Sequence, residues 1–185
     1  IEMTMFGITA KFIGEHVFAI SGGIFDISLN NKPIRTNKAY IAKDGDILSI
    51  KSAKQGLRCY LAVTGGFDVP LFMGSAATNL KIKVGGFNGR KLKAGDILKI
   101  GKADKIKNIE KRELPENTYN NPVKVRVVLG PQDDMFSEND LLLFSNQQYT
   151  VTSDLDRMGI RNHFRRNYLW LDTNYKFGDA DYTYG

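Results

Sequence analysis

The polar residues best placed for chemistry follow two predicted strands, at the point where each strand ends. One pair comes directly after Gly130-Pro131, and a second group follows the strand that ends at Thr152. Strand-end loops are where a β-barrel presents side chains to a ligand. We therefore predict a substrate-binding site with these members: Gln132 and Asp133 in the first loop, and Asp154, Asp156 and Arg157 in the second.

Arg157 carries the chemical argument for this site. A guanidinium can bind a carboxylate or a carbamate through two parallel hydrogen bonds, and neighbouring carboxylates hold the fork in place. The alternative is a structural Asp–Arg pair in a turn, with Ser153-Asp154 as an Asx-type cap. The sequence leaves both interpretations open, and it identifies no catalytic residue.

Other common chemistries find little support in the residue pattern. The two histidines, His16 and His163, lack metal-ligand spacing to another His, Cys or carboxylate. The chain has no Walker A motif, dinucleotide-binding fingerprint or Gly-x-Ser-x-Gly elbow. Gly65-Gly66 and Gly85-Gly86 are predicted to be turn glycines rather than phosphate cradles.

Composition points to an ordinary globular protein. The 185 residues suit one domain or two small ones, and 25% are charged while 42% are hydrophobic. Cys59 is the single cysteine and lies in an apolar run, so we expect a buried structural thiol and a reducing, cytoplasmic setting. The net charge of +6 comes from lysines scattered at turns, which does not favour a nucleic-acid partner. No apolar run approaches the length that would span a membrane.

Short strand patterns separated by turns predict a mostly-β fold with barrel-like subdomains. The nearly continuous apolar run over 58–64 predicts a central strand buried on both faces. Gly22-Gly23 is predicted to end the strand over 17–21. The phrase Gly-Asp-Ile-Leu occurs at Gly45 and at Gly95, which indicates either a repeated hairpin or simply favourable turn chemistry.

Further along the chain, the polar stretch 105–122 is predicted to be an interdomain linker. Strict alternation over 123–129 predicts a strand that opens a second subdomain. The segment 136–145 predicts a short helix with Ser137 as its N-cap. Another strand is predicted over 148–153.

Five short motifs occur in a fixed order, and together they resemble the biotin-dependent carboxyltransferase family. This family includes KipA-type proteins, the C subunit of bacterial 5-oxoprolinase, the allophanate hydrolase subunit 2 proteins and one half of the urea carboxylase carboxyltransferase domain. The resemblance runs from about Ile1 to Arg161 and implies two linked, cyclophilin-like β-barrel subdomains. The motifs are Leu61 to Pro70, Gly85 to Arg90, Gly95 to Leu98, Gly130 to Asp133, and Thr152 to Gly159.

The resemblance also implies a function. It is that of one component of an ATP-dependent 5-oxoprolinase, which acts on a lactam together with a KipI-like B subunit and an A subunit. ATP or carboxybiotin would then belong to the assembled complex, with no cofactor held covalently by this chain. Two alternatives stay open: carboxyl transfer from carboxybiotin to a urea-like amide, and a KipA-type regulator that binds a KipI-type kinase inhibitor. One departure is Ala76, where the family often has a basic residue.

The segment 162–185 resembles neither the family nor the rest of the chain. It contains Trp170, four of the eight tyrosines and no apolar periodicity. The codons that could encode this segment can also, when read one base out of frame, encode a peptide close to the family's apolar strand. We therefore predict a frameshift after Arg161. The predicted organisation is a first β-barrel subdomain lacking its N-terminal part (1–104), a linker (105–122), the start of a second barrel (123–161) and an aberrant tail (162–185).

Overall fold

A computed structural model describes residues 1–119, 124–155 and 160–164, with side chains described up to Val151. The chain divides into two compact units, Ile1–Val123 and Lys124–Gly185. None of the helices among the described residues is long and apolar enough to cross a membrane.

The first unit is built on one antiparallel sheet whose two longest strands pair at its centre. Strand order is β1-β6-β3-β4, with β2 also on β6 and β5 also on β3. The sheet is not closed into a barrel within the part of the chain that the structure describes. Its strands are β1 (Glu2–Thr4), β2 (Thr9–Lys11), β3 (His16–Leu29), β4 (Lys32–Pro33), β5 (Ala39–Ala42) and β6 (Ile47–Val63).

The prediction that Gly22-Gly23 ends a strand is wrong, because β3 continues through it with shifts of register against β6. Gly22 has a φ of 101°. A Cβ atom there would lie 2.6 Å from the carbonyl oxygen of Arg58. The glycine therefore allows two long strands to bend together, where a larger residue would have forced them apart.

The core lies on one face of this sheet. Phe18 and Ile20 on β3 are each 1% exposed, and Cys59 and Leu61 on β6 are also buried. Between the last two, Tyr60 is 43% exposed. The expectation that 58–64 is buried on both faces is therefore wrong, although the segment is central; its outward positions face away from the core, as antiparallel sheets allow.

A long loop follows β6, and its last residues lie beside its first ones. Phe67 and Ile100 form a bridge at its base. The Asp68 amide donates to the Lys99 carbonyl at 2.9 Å. Gly65, at φ 86°, lies so close to Gly101 that a side chain would collide with that residue's carbonyl. The loop thus has a tightly closed base.

The segment that follows this loop belongs to the first unit and packs against its sheet. Glu113 bridges to Lys38, the amide of Ala39 donates to Arg112 at 2.9 Å, and that of Leu114 donates to Asn37 at 2.8 Å. The Tyr119 hydroxyl donates to the Gly22 carbonyl at 2.8 Å. Part of the stretch predicted as a linker therefore extends the first sheet at its β5 edge.

The second unit has a helix and a two-stranded sheet. The helix α1 (Glu138–Asn146) begins at Ser137, whose hydroxyl accepts from the Asp140 amide in a capping box, so this prediction is confirmed. Strands β7 (Tyr149–Leu155) and β8 (Ile160–Phe164) pair in antiparallel. Backbone pairing therefore extends to Asn162, His163 and Phe164, within the segment assigned to the tail.

The predicted strand over 123–129 is not formed by its described residues, 124–129. Val125, Val127 and Val128 are 74%, 57% and 96% exposed. Alternation gives a segment the pattern of a strand, but a strand also needs a neighbour to bond to, and the described residues provide none here. The mostly-β prediction as a whole is confirmed.

Candidate functional site

A groove of about 410 Å³ in the second unit contains the predicted site residues Gln132 and Asp133. The two follow the turn at Gly130-Pro131, where the Asp133 amide donates to the Gly130 carbonyl at 3.3 Å. A single turn of 3₁₀ helix, Asp133–Met135, then leads into α1. The rest of the lining is mainly apolar: Val127, Val128, Leu129, Phe136, Leu141 and Phe144, with Asp140.

No described residue lining this groove is cationic. Asp140 is already engaged, since it accepts from the Ser137 hydroxyl at 2.7 Å. A carboxylate or carbamate ligand would therefore be repelled by Asp133 unless a cation joined the site. Arg157 is the predicted source of that charge. Asp154 lies on β7, and Asp156 and Arg157 lie outside the described residues, so the five-residue site stays a prediction.

Arg90, in the second of the five motifs, has a structural role. Its guanidinium donates two bonds of 2.8 Å to the carboxylate of Asp96, in the third motif. It also lies 5.2 Å from the centre of the Phe87 ring. The Arg90 hydrogen bonds, and next the Lys93 amide, lower the pKa of Asp96 to about 2. The pair thus ties two motifs together inside the long loop.

The two Gly-Asp-Ile-Leu phrases build the same turn. Asp46 accepts from the Lys43 amide at 2.8 Å, and Asp96 accepts from the Lys93 amide at 2.7 Å. Gly45 and Gly95 have φ values of 87° and 88°. Only the first phrase leads into a strand, β6. The likeness is therefore one of turn chemistry, since the residues after the second phrase do not form a matching hairpin.

The paired glycines serve close backbone contacts. The Gly66 amide donates to Val63 at 3.0 Å and the Gly89 amide to Gly85 at 3.0 Å. A Cβ atom at Gly86 would collide with Thr78. All four residues, Gly65, Gly66, Gly85 and Gly86, have positive φ values, between 50° and 86°, as turn glycines do. Their interpretation as turn glycines is confirmed.

Cys59 is fully buried. Burial raises the pKa of its thiol to about 11, so it is a packing residue, as predicted, and a poor nucleophile at neutral pH. His16 shares a hydrogen bond of 2.9 Å with the Ile13 carbonyl. Within the described ranges, no three His, Cys, Asp or Glu side chains gather as a metal site would require.

Sequence reasoning missed a second groove, of about 520 Å³, on the first unit. It lies between the outer face of the sheet and the segment 106–114. Its cationic members are Lys38, Lys111 and Arg112. No linear motif signals this groove, because strands distant in sequence supply its floor and the segment after the loop supplies its wall.

A family model matches residues 1–179, and its description is a carboxyltransferase domain, subdomain A and B. The chain is 34% identical over 161 residues to the C subunit of Escherichia coli 5-oxoprolinase, covering 87% of this chain and 51% of that protein. It is 35% identical over 174 residues to urea amidolyase of Lachancea kluyveri, covering 87% of this chain and 10% of that protein. The chain thus spans about half the length of the oxoprolinase relative and a small part of the amidolyase.

Solved structures show the same relationship. The crystal structure of Kluyveromyces lactis urea amidolyase matches 88% of this chain with a TM-score of 0.70 at 30% identity, over 11% of its own length. The urea carboxylase of Kluyveromyces lactis matches equally well, over 16% of its length.

Proposed function

Because this chain belongs to the family of carboxyltransferase domains with subdomains A and B, we propose that it is one component of an ATP-dependent 5-oxoprolinase complex. The complex would convert 5-oxoproline to glutamate. The observation that carries this proposal is the 34% identity to an oxoprolinase C subunit over 87% of the chain. A second such protein, from Haemophilus influenzae, is 31% identical over the same share.

In this proposal the substrate site lies in the groove of the second unit. Arg157 binds the carboxylate of 5-oxoproline, and Asp154 and Asp156 hold its guanidinium in place. The Gln132 amide offers both a donor and an acceptor to a lactam. The apolar walls suit the ring of the substrate. Without Arg157 the described lining carries only acidic charge, so this residue decides whether an anionic substrate binds.

The proposal includes partners. A KipI-like B subunit and an A subunit would complete the enzyme in the cytoplasm. ATP would bind to one of those partners, because this chain has no Walker A motif.

A second candidate is carboxyl transfer from carboxybiotin to a urea-like amide. It is favoured by the 35% identity to a urea amidolyase, which is close to the 34% identity to the oxoprolinase relative. The substrates of both candidates contain a carbonyl bonded to nitrogen.

Reconstitution distinguishes the candidates. The full chain, and a version with its frame restored after Arg161, would each be combined with the A and B subunits from the same organism. We expect glutamate formation that depends on both 5-oxoproline and ATP. Turnover of urea with a biotin carboxylase would support the second candidate instead, and binding to the KipI-like B subunit without turnover would support a KipA-type regulator.

Arg157→Ala tests the site in the active preparation. Losing a charge-assisted bidentate contact costs about 1.5–3 kcal/mol, so we expect a loss of about tenfold or more in kcat/KM. Arg126→Ala is the matched control, since Arg126 is exposed in the same unit and does not line the groove. Activity of Arg157→Ala within about twofold of the parent would remove this residue from the site.

A further inference from the structure

We propose that the groove on the first unit, which we call the sheet groove, binds a small carboxylate with an apolar body. It is formed by the outer face of β3, β5 and β6 together with the segment 106–114. Its volume of about 520 Å³ lies within the range of small-molecule sites. It belongs to the first unit alone and is independent of the function proposed above.

The floor of the sheet groove is apolar because of strand register. Ala19 on β3 pairs with Ala39 on β5 and with Ala62 on β6. Directly opposed residues of neighbouring strands project from the same face. This face is the one opposite Phe18 and Ile20, so three short side chains leave open space where larger ones would fill it.

The wall of the sheet groove is fixed rather than loose. Its attachment uses the backbone bonds of Ala39 and Leu114 described above. The amide side chain of Asn37 adds a bond of 2.9 Å to the Pro115 carbonyl. Ile106 and Leu114 supply apolar surface on this wall. An attached wall over an apolar floor defines a site before any ligand arrives, which lowers the entropic cost of binding.

Charge selects the ligand class. The lining contains the cations Lys38, Lys111 and Arg112 and a single carboxylate, Glu113. Glu113 is already bonded by Arg35 at 2.7 Å and Lys38 at 3.2 Å. The hydrogen bonds from Lys38 and Arg35 lower the pKa of Glu113, so it stays ionised and occupied by those two cations.

Lys111 is then a cation of the lining whose charge no carboxylate of the described residues neutralises. Its ammonium forms no ion pair with any carboxylate in the described part of the chain, while Arg112 bonds the Lys107 carbonyl through Nε at 3.2 Å. A ligand with one negative charge at the rim and an apolar body on the alanine floor satisfies both features. A neutral apolar ligand would use the floor alone, and inorganic phosphate, which has no apolar body, would use the charge of Lys111 alone.

Octanoate is the probe for this site. It would be titrated into the full chain with amide chemical shifts and calorimetry as readouts, and octan-1-ol would serve as the uncharged comparison. We expect saturable octanoate binding, with shifts centred on Ala19 and Ala62, and weaker binding of octan-1-ol. Equal binding of the two compounds, or no saturation by about 1 mM, would overturn the proposal.

Substitutions locate the binding. Ala62 is exposed, so Ala62→Leu should fill the floor without unfolding the chain and weaken octanoate binding at least about tenfold. Lys111→Gln should weaken it about two- to fivefold, the strength of an exposed ion pair. Lys83→Gln, outside the sheet groove, and Phe144→Ala, in the other groove, should leave it unchanged. If Phe144→Ala weakens binding while Ala62→Leu does not, the ligand occupies the second unit and the proposal fails.

Discussion

Each of the two units of this chain is stabilised internally in a different way. In the first, residues far apart in sequence meet across β3 and β6, and eleven hydrophobic side chains between Met3 and Leu61 are buried. In the second, no described side chain from Lys124 to Val151 is buried. Its described order comes from short-range bonds, such as the capping box at Ser137, and from the pairing of β7 with β8. Pairing of two strands is therefore not enough for a buried core, which forms in the first unit where six strands share one sheet.

The largest expected effect comes from the core of the first unit. Phe18→Ala removes a ring that is 1% exposed and stacks on Phe12 at 5.2 Å. Cavity formation should cost about 3–5 kcal/mol of the free energy of unfolding. Phe144→Ala in the second unit, where the ring is 37% exposed, should cost no more than about 1 kcal/mol. Urea unfolding combined with residue-resolved hydrogen exchange measures both; similar costs would contradict the comparison.

A smaller effect is expected at glycines. Gly22→Ala places a Cβ atom 2.6 Å from the Arg58 carbonyl oxygen at a φ of 101°. We expect destabilisation of about 1–3 kcal/mol, the usual cost of a strained backbone. Gly130→Ala meets nothing within 4 Å and should change stability by less than about 0.5 kcal/mol. Thermal unfolding of the two variants beside the parent tests this, and a tolerated Gly22→Ala would show that the bulge can relax.

The cap of α1 tests the local character of the second unit. Ser137→Ala removes the hydroxyl that accepts from the Asp140 amide in the capping box and should cost the helix about 1 kcal/mol. Amide exchange should accelerate over 138–146 and stay unchanged in β3. Ser137→Thr, which keeps a hydroxyl that can accept from the Asp140 amide and donate to its carboxylate, is the matched control. Faster exchange in β3 as well would mean that the two units share their stability.

The smallest effect concerns pH. The folded pKa of Asp96, about 2, lies below its ordinary value because of Arg90 and then Lys93. Its contribution to stability is therefore complete above the ordinary value near 4 and is lost as the pH falls towards 2. Asp96→Asn should flatten this part of the stability curve. A curve with the same slope between about pH 4 and pH 2 as the parent would exclude the Arg90–Asp96 pair as its cause.

Several features followed from sequence because their causes are local. Ser137 as an N-cap predicted the helix start, and Gly65-Gly66 and Gly85-Gly86 predicted turns. The Gly-Asp phrase predicted turn chemistry, and the same bond forms at Asp46 and Asp96. Cys59 in an apolar run predicted a buried thiol. The ordered motifs predicted the family, which the match over residues 1–179 confirms.

Other features depended on which strands pair. Gly22 resembles a strand terminator in sequence, and only its close approach to Arg58 shows that β3 continues. Alternation over 123–129 predicted a strand, yet its described residues have no partner strand. Arg90 is one of three cations close together in the sequence, with Lys91 and Lys93, and only the folded loop shows that it pairs with Asp96. The predicted role of Arg157 also depends on which residues the fold brings together, and Arg157→Ala tests it.

The order of residues along the chain was sufficient for the family, the mostly-β class, the turns and the helix cap, because each depends on neighbouring residues or on a fixed series of motifs. The folded sheet was needed to establish which face of β6 is buried, which motif residues bond to one another and where the sheet groove opens. The first and last of these result from strand register, which brings Ala39, Ala19 and Ala62 side by side. A shift of one residue would turn a different set of side chains to that face.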